Sequence, residues 1–283
     1  MEKKVYFGLL LAVLIPFGVI AGGEYVSNKV IDQQRQNLAI NTDGKGFGPQ
    51  SPRDIDSVAG SNTIAFNTAP AYTQMNLCNI HFHKNAEHKG GEFTKYAGNG
   101  DGLGHQTGFL YAGNLTHKEL TPVDGKVCPG KDDALYPGDT IEVHYVHSSA
   151  QVKPGPTLGS CLNDAIKNPQ LRVETQVYVL VNDENAGDFM HLTEHELKDG
   201  VHQALNIPSN TGKPIQYAGS TTGPSYNEQG SPFQVTWSVR SKVAKVDIES
   251  VRTWCAGNVF NEDHAHGVRN LVTNPDLLSE IAN

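Results

Sequence analysis

Several short segments of the chain alternate between apolar and polar residues with a period of two, which predicts a protein built mainly from β-strands. We expect strands over residues 75–83, 106–113, 139–147, 171–182 and 233–248. Residues 175–181 are almost continuously apolar, which is typical of a central strand.

Helical patterns are few. Residues 23–40 have a modest helical periodicity, residues 188–198 predict a short helix, and Asn274-Pro275 opens a predicted turn that runs through Ile281. The connection between His88 and Ile141 is long and rich in glycine, so we expect it to carry structure or function of its own. The fold class predicted is mainly β, with a large, mostly antiparallel central sheet, short peripheral helices and long loops.

Composition agrees with a loop-rich β protein. Hydrophobic residues make up 38% of the 283 positions and charged residues only 18%, while 29 glycines and 15 prolines supply turns. The formal net charge of −8 argues against a nucleic-acid partner.

The N-terminus has the pattern of an export signal. Two lysines at positions 3 and 4 precede an uncharged run over residues 5–21, which ends in small residues. The run is short for a membrane span and contains a proline, so we favour a cleaved signal over a retained anchor. We therefore expect an exported protein, periplasmic or secreted, with membrane contact only through an uncleaved N-terminus. The predicted organisation is a signal or anchor over 1–21, a lead-in over 22–45 and a single folded domain over 46–283.

Four scattered cysteines in an exported chain predict two structural disulfides, with three possible pairings. We prefer Cys78 with Cys255 and Cys128 with Cys161, because the second pair flanks the second histidine-bearing strand.

Two predicted strands carry histidines on one face. Successive side chains of a strand point to opposite faces, so His81 and His83 share a face with Asn79. On the second strand, His144 shares a face with Glu142. If the strands are neighbours, the three histidines form a cup of nitrogen donors, which is the ligand set of a catalytic zinc with a fourth position open for water.

Five blocks of sequence, taken in order, resemble the α-class carbonic anhydrases. In this chain they read Gln-Ser-Pro-Arg-Asp-Ile at 50–55, His-Phe-His with Glu-His at 81–88, Glu-Val-His-Tyr-Val-His at 142–147, Tyr-Ala-Gly-Ser-Thr-Thr at 217–222 and Val-Thr-Trp-Ser-Val at 235–239. The long insertion after His88 and the glycine after Thr222 depart from the α pattern. With those departures the chain most resembles the δ class of carbonic anhydrases.

The resemblance implies a zinc enzyme that hydrates CO2 reversibly to bicarbonate and a proton, with zinc on His81, His83 and His144. Three neutral imidazoles leave the ion's charge of +2, which lowers the pKa of bound water from about 15.7 to about 7. Hydroxide then attacks the carbon of CO2. The resemblance also places Glu142 and Asn79 behind the third and first histidines, where they hold the ligating rings.

The resemblance further implies that Thr222 accepts a hydrogen bond from the zinc-bound hydroxide and donates its own proton to Glu87. An ungapped reading favours Thr222 over its neighbour Thr221, which stays an alternative in the substrate pocket. Val146 would line the apolar wall where CO2 rests, because it projects from the same face as His144.

Two further histidines, His88 and His147, match positions that are structural in the family. Hydration of CO2 also releases a proton, which needs a route to solvent. The α enzymes use a histidine between the Gln-Ser-Pro block and the first metal strand, but this chain has no histidine between Gln50 and His81. The proton-transfer residue is therefore unassigned, with His105 and His117 of the insertion as candidates.

Two other functions fit part of the pattern. In a cupin-type metalloenzyme, His81, His83, Glu87 and His144 would bind iron or manganese, although the spacing from Gly138 to His144 is longer than a cupin requires and three of the blocks stay unexplained. The second alternative is a non-catalytic zinc-binding protein on the same scaffold.

The remaining histidines form two groups that could be interpreted as a second metal site, and for each we favour another role. His191, His195 and His202 fall near helical spacing and predict a polar helix face. His264 and His266 form a second His-x-His in a loop, for which we expect a place at a cavity rim.

Overall fold

A computed structural model describes residues 26–57, 60–130, 133–221 and 227–279. The predicted signal or anchor over 1–21, Thr222 and Ile281 lie outside the described residues. Within those ranges, every helix falls short of the length and apolar character that a bilayer span requires.

The described residues form ten strands. In chain order they are β1 Asn76–Lys84, β2 Lys95–Tyr96, β3 Phe109–Leu110, β4 Thr140–Ser148, β5 Leu171–Val181, β6 His195–Lys198, β7 Val201–Ala204, β8 Ile215–Ser220, β9 Gln234–Val239 and β10 Ala244–Asp247. The α-helices of the same residues are α1 Asn28–Thr42, α2 Phe189–Leu192 and α3 Ile248–Cys255, and short 3-10 helices cover Tyr72–Gln74, Leu158–Cys161 and Pro275–Leu277.

Six of these strands form the central sheet, in the order β1-β4-β5-β9-β8, and β10 pairs with β5 beyond the end of β9. The pairs β1/β4, β4/β5 and β8/β9 are antiparallel, whereas β9 and β10 run parallel to β5. The sheet is thus mixed. The predicted fold class, mainly β with a large sheet and few short helices, is confirmed.

The predicted central strand is β5, in which every residue is buried. It pairs with β4 along one edge and with β9 and β10 along the other. The continuous apolar run follows from this position, since neither face of the strand meets solvent.

The sheet separates two apolar clusters. One face packs Phe82, Val143 and Tyr145 against Trp254 of α3, and the other face holds Val146 among a second cluster that includes Val173, Val177, Trp237 and Val239. The period-two alternation of β1 and β4 places His81, His83 and His144, with their partners Asn79 and Glu142, on the second face.

A β-hairpin replaces most of the helix predicted over residues 188–198. The helix α2 ends at Leu192, and β6 pairs with β7 around Asp199-Gly200. Both turn residues have positive φ, 52° and 84°, which is the conformation of a two-residue hairpin turn that Asp-Gly favours. The prediction was wrong because this turn signal outweighs the helical spacing of the histidines, so the expected polar helix face does not form.

Other boundaries differ from the sequence prediction. The strand predicted over 233–248 is divided into β9 and β10, the strand predicted over 106–113 is reduced to β3, and β8 lies where no strand is predicted. The N-terminal helix is confirmed as α1, and the C-terminal turn begins at Pro275 as expected.

The disulfides join Cys78 to Cys161 and Cys128 to Cys255, so the preferred pairing was wrong. Cys78 lies on the same face as the second apolar cluster, which includes Cys161, whereas Cys128 belongs to the cluster beneath α3, where Cys255 ends the helix. The two faces of the sheet therefore decide the pairing, and proximity along the sequence does not.

Candidate metal centre

Three histidines meet at the edge of the central sheet. In the β1/β4 register, His81 lies directly opposite His144, and His83 opposite Glu142. One nitrogen of each of His81, His83 and His144 lies within 4.8 Å of the others. His83 and His144 are buried and His81 is half-buried. The structure thus brings together the three histidines that the sequence predicted as ligands.

Hydrogen bonds fix which nitrogen of each ring carries the proton. His81 donates from Nδ1 to Oδ1 of Asn79 at 2.6 Å, and the Asn79 amide is held by its own bond to the Gly155 carbonyl. His83 donates from Nδ1 to the carbonyl of Gly267 at 2.9 Å. These acceptors leave both Nε2 atoms unprotonated, as a metal ligand requires.

The third ring is held through its other nitrogen, Nε2. His144 donates from Nε2 to Oε1 of Glu142 at 2.7 Å, which leaves Nδ1 as the free nitrogen. That Nδ1 lies 3.2 Å from Nε2 of His81. Two ligands on a tetrahedral zinc, each bound at about 2.0–2.1 Å, are about 3.3–3.4 Å apart. Two unprotonated nitrogens at this distance repel each other unless a cation lies between them, so the site fits a metal ion.

Burial keeps His81 and His83 neutral. Desolvation, together with the neighbouring His144, lowers the pKa of His81 well below its ordinary value. Desolvation likewise lowers the pKa of His83 to about 4. Neutral imidazole is the form that binds a metal, so the protein environment favours the ligating state at neutral pH.

Glu142 connects this cup to a buried chain of hydrogen bonds. Its Oε1 also accepts from Nδ1 of His88 at 2.7 Å, and its Oε2 accepts from the His88 backbone N–H at 3.0 Å. Nε2 of His88 in turn accepts from the Tyr217 hydroxyl at 2.5 Å, and the Tyr217 oxygen lies 2.7 Å from the Ser51 hydroxyl. His88 is therefore a buried partner of the cup, with both ring nitrogens in hydrogen bonds.

The sequence blocks at 50–55, 217–222 and 235–239 come together around this chain of hydrogen bonds. Oε1 of Gln50 accepts from the Ser231 backbone at 3.0 Å and from the Ser220 hydroxyl at 3.3 Å, and the indole of Trp237 donates to the Ser220 carbonyl. The Trp237 ring also stands against His144 at 5.1 Å between centroids. The segment that leads into Thr221 is thus fixed from two sides.

Glu87 lies beside the cup, 3% exposed, with a buried cation as its neighbour. Nη1 of Arg53, which is 1% exposed, lies 3.5 Å from Oε1 of Glu87. Burial raises the pKa of Glu87, but the Arg53 guanidinium, His83 and His144 together outweigh burial and lower the pKa to about 2. Oε1 has no hydrogen-bond donor among the described residues. Glu87 is therefore an ionised acceptor beside the cup.

The position of Glu87 does not match a fourth ligand. Its oxygens lie 3.8 Å from Nδ1 of His83 and 3.8 Å from Nε2 of His144, which are the nitrogens that carry protons and face away from the cup. A cupin-type site would need a Glu87 oxygen beside the free nitrogens instead.

Two further predicted site residues are described. Val146 is buried on the face of His144, within the apolar cluster that includes Val173 and Trp237, and Thr221 is 7% exposed at the end of β8. Thr222 lies outside the described residues.

A cavity of about 660 Å3 lies beside the 263–267 segment and is lined in part by His264 and His266. The ring of His266 stands 5.4 Å from that of His81 and 5.7 Å from that of His83, between centroids. His105 also lines this cavity, whereas His117 is exposed in the insertion. His195 and His202 lie on the separate β6/β7 hairpin.

Sequence reasoning missed three functional neighbours. Arg53 lies in the Gln-Ser-Pro block, but nothing in its local pattern indicates a partner at Glu87. Tyr217 begins a recognised block without an assigned role. The carbonyl of Gly267 is a backbone acceptor, which no residue pattern reveals, although its position just after the second His-x-His places it at the cavity.

Comparison with known proteins finds one family model. The delta carbonic anhydrase model matches residues 72–250. Among curated proteins no match is found. Three solved structures are similar. The α-carbonic anhydrase of Thermovibrio ammonificans, in complex with the inhibitor sulfanilamide, is 15% identical, with 88% of this chain and 96% of that chain covered and a TM-score of 0.28. The Photobacterium profundum α-carbonic anhydrase is 18% identical, with 88% of this chain and 97% of that chain covered and a TM-score of 0.26. A hyperthermostable carbonic anhydrase identified from an active hydrothermal vent chimney is 15% identical, with 84% of this chain and 90% of that chain covered and a TM-score of 0.27.

Proposed function

The chain belongs to the delta carbonic anhydrase family, and we propose that it catalyses the reversible hydration of CO2 to bicarbonate and a proton with zinc as its cofactor. The observation that carries this proposal is the convergence of three unprotonated histidine nitrogens, with His81 and His144 only 3.2 Å apart. Three nitrogen donors suit tetrahedral zinc and leave one position open.

His81, His83 and His144 would hold the zinc through Nε2, Nε2 and Nδ1. When bound, the ion supplies an acidified water, so that hydroxide is available at neutral pH. Asn79, Glu142 and the Gly267 carbonyl keep each ring in its ligating tautomer. Because these acceptors are fixed before the metal arrives, the rings need little reorganisation to bind it.

Glu87 would orient the nucleophile through Thr222. An ionised Glu87 accepts the proton of the threonine hydroxyl, so the threonine oxygen is left to accept from the attacking oxygen atom. Arg53 favours the ionised form of Glu87, which makes the direction of this hydrogen bond unambiguous. Thr221 is the alternative for the same role, and it would border the substrate pocket.

Val146 would form part of the apolar wall against which CO2 rests. Its side chain leaves the strand on the same face as His144, two residues further along β4. An apolar surface binds CO2 without competing for the nucleophile and favours release of charged bicarbonate.

We also propose that the protein is exported through residues 1–21, to the periplasm or the medium. Two disulfides join all four cysteines, which is typical of proteins in an oxidising compartment. Residues 22–45 would then link the processed end to a catalytic domain over 46–283.

Metal analysis combined with stopped-flow CO2 hydration tests the function. We expect one zinc per chain, loss of activity with a chelator and recovery on adding zinc. His144→Ala should abolish both stoichiometric zinc and hydration, while His117→Ala, which changes an exposed histidine of the insertion, should alter neither. Zinc binding without hydration would favour a non-catalytic zinc-binding protein, and iron or manganese in place of zinc would favour the cupin-type enzyme.

A further inference from the structure

The cavity of about 660 Å3 is a separate feature from the cup. Among the described residues, its wall is formed by Lys84 and by parts of the segments 101–106, 128–135 and 263–267, and it includes none of the three cup histidines. Two histidines of this wall, His264 and His266, have no part in the proposed function. They repeat the His-x-His spacing of His81 and His83.

Each of these two rings is oriented by its own carboxylate. His264 donates from Nδ1 to Oδ1 of Asp263 at 2.6 Å, which leaves its Nε2 unprotonated. His266 donates from Nε2 to Oε2 of Glu262 at 2.7 Å, which leaves its Nδ1 unprotonated. A carboxylate that accepts the other ring N–H is the usual support of a metal-ligating histidine, because it fixes the tautomer and makes the free nitrogen a better donor.

The two rings are also as close together as the rings of the cup. Their centroids are 5.5 Å apart, and those of His81 and His83 are 5.3 Å apart. The side chains of His264 and His266 are 47% and 41% exposed, so an ion reaches both from solvent. The cavity has ample room for the water that completes the coordination of an ion held by two protein ligands.

The charges near the pair favour a cation as the ligand. The carboxylates that line the cavity or support the rings are those of Asp101, Asp133, Glu262 and Asp263. The cation in the described wall is Lys84, whose Nζ lies 2.8 Å from Asp133 and 3.2 Å from Asp139. The charge at the cavity is therefore negative when the histidines are neutral, which disfavours an anion. Because the free donors are imidazole nitrogens, they suit a transition metal rather than magnesium, which prefers oxygen ligands.

The segment that carries the pair is fixed before any ion binds. The His266 N–H donates to the Phe82 carbonyl of β1, and the His266 carbonyl accepts from the Lys84 N–H. At the other end of the segment, the side chain of Asn258 accepts from the Glu262 N–H and donates to the Glu262 carbonyl. These bonds limit the conformational entropy that the segment loses when both rings bind one ion.

We propose that His264 and His266 bind a second divalent transition-metal ion at this cavity, through Nε2 and Nδ1 respectively, with water in the remaining positions. The ion belongs to the class that imidazole ligands select, such as zinc, nickel or copper. Two protein ligands hold an ion less tightly than the three of the cup. The second site therefore fills only when metal is in excess, and the dialysed protein keeps one zinc per chain. This inference is independent of CO2 hydration.

Calorimetric titration of Zn2+ into the dialysed protein, loaded with one zinc per chain, tests the assignment. We expect one further ion to bind per chain, and no binding of Mg2+ at the same concentrations. His264→Ala and His266→Ala should each weaken this second binding about 100-fold, and Asp263→Asn, which removes only a supporting charge, about tenfold. The matched controls are His117→Ala in the insertion and His202→Ala on the β6/β7 hairpin, which should leave it unchanged.

The variant His144→Ala separates the two sites. It should lose the tightly bound zinc and still bind the weaker ion at His264 and His266. The assignment is overturned if the zinc-loaded wild type takes up no second ion, if His264→Ala and His266→Ala bind it normally, if Mg2+ binds as well as Zn2+, or if His202→Ala alone loses it. A wild type that binds zinc only in the manner of His144→Ala would keep the second site and contradict the proposed function instead.

Discussion

Nε2 of His144 lies 2.7 Å from Oε1 of Glu142, and both side chains are buried. The same oxygen accepts from His88, so one carboxylate atom sets the tautomer of two histidines. Only a carboxylate accepts from both rings without presenting a proton of its own. The free Nδ1 of His144, and with it the geometry of the metal site, depends on this charge.

Glu142→Gln should therefore weaken zinc binding about 10- to 100-fold, because an amide NH2 in the place of Oε2 cannot accept from the His88 backbone N–H, and an NH2 in the place of Oε1 cannot accept from either imidazole. Competition with a chelating dye measures the affinity. Glu196→Gln, on the exposed edge of the β6/β7 hairpin, is the matched control and should bind zinc normally. Wild-type affinity in Glu142→Gln would mean that the tautomer of His144 is set in another way.

Glu87→Gln separates the proposed enzyme from the cupin-type alternative. Zinc content should be unchanged, because Glu87 faces the protonated nitrogens of His83 and His144. Turnover should fall about 10²-fold or more, because a neutral amide no longer fixes the direction of the threonine hydroxyl. Metal analysis and stopped-flow kinetics on one preparation give both values. Loss of metal would instead identify Glu87 as a ligand.

The parts of the site that follow from strand alternation were predictable from the sequence. His81, His83 and His144 share one face of their strands because side chains alternate along a strand. The five sequence blocks between residues 50 and 239 carried the resemblance that identified these three histidines as ligands. The register that sets His81 opposite His144 adds the distance of 3.2 Å, which no linear pattern contains.

Contacts between distant segments were not predictable in the same way. The ion pair of Arg53 with Glu87 joins a turn before β1 to a loop after it, and the Gly267 carbonyl belongs to a segment far along the chain. The pairing of the cysteines was not predictable for the same reason, because the face of the sheet on which each cysteine lies depends on packing. The Asp199-Gly200 hairpin was readable from its turn residues and was missed in favour of helical spacing.

The two disulfides should differ in their effect on the metal site. Cys161, which is joined to Cys78 by a disulfide, ends a 3-10 helix that follows Gly155. The Gly155 N–H donates a hydrogen bond to the Cys78 carbonyl, and the Gly155 carbonyl accepts one from the Asn79 side chain. Asn79 in turn orients His81. The Cys78–Cys161 bond therefore supports a loop that acts on a ligand.

Cys78→Ala with Cys161→Ala should lower both the free energy of unfolding, by about 2–5 kcal/mol, and the zinc affinity. The matched pair, Cys128→Ala with Cys255→Ala, should lower stability by a similar amount and leave the zinc affinity unchanged, because that bond lies under α3 on the other face. Urea unfolding and chelator competition distinguish the two effects. Equal zinc affinities in the two variants would contradict this coupling.

His147 should make the protein sensitive to mild acid. It is fully buried, it donates from Nδ1 to the Tyr145 carbonyl at 2.9 Å, and its Nε2 has no hydrogen-bond partner among the described residues. Desolvation lowers the pKa of His147 to about 4, against the opposing effect of Glu174. His147 is protonated near pH 6.5 in the unfolded chain, but only near pH 4 in the folded protein.

The stability that depends on neutral His147 is therefore complete above about pH 6.5 and is lost as the pH falls towards 4, by about 3 kcal/mol in all. His147→Asn keeps an N–H donor near the Tyr145 carbonyl but removes the titration. Urea unfolding of both proteins from pH 7 to pH 4 measures the difference, in which contributions of the metal-site histidines cancel. The wild type should lose more stability than His147→Asn over this range, and parallel curves would show that His147 is protonated equally in both states.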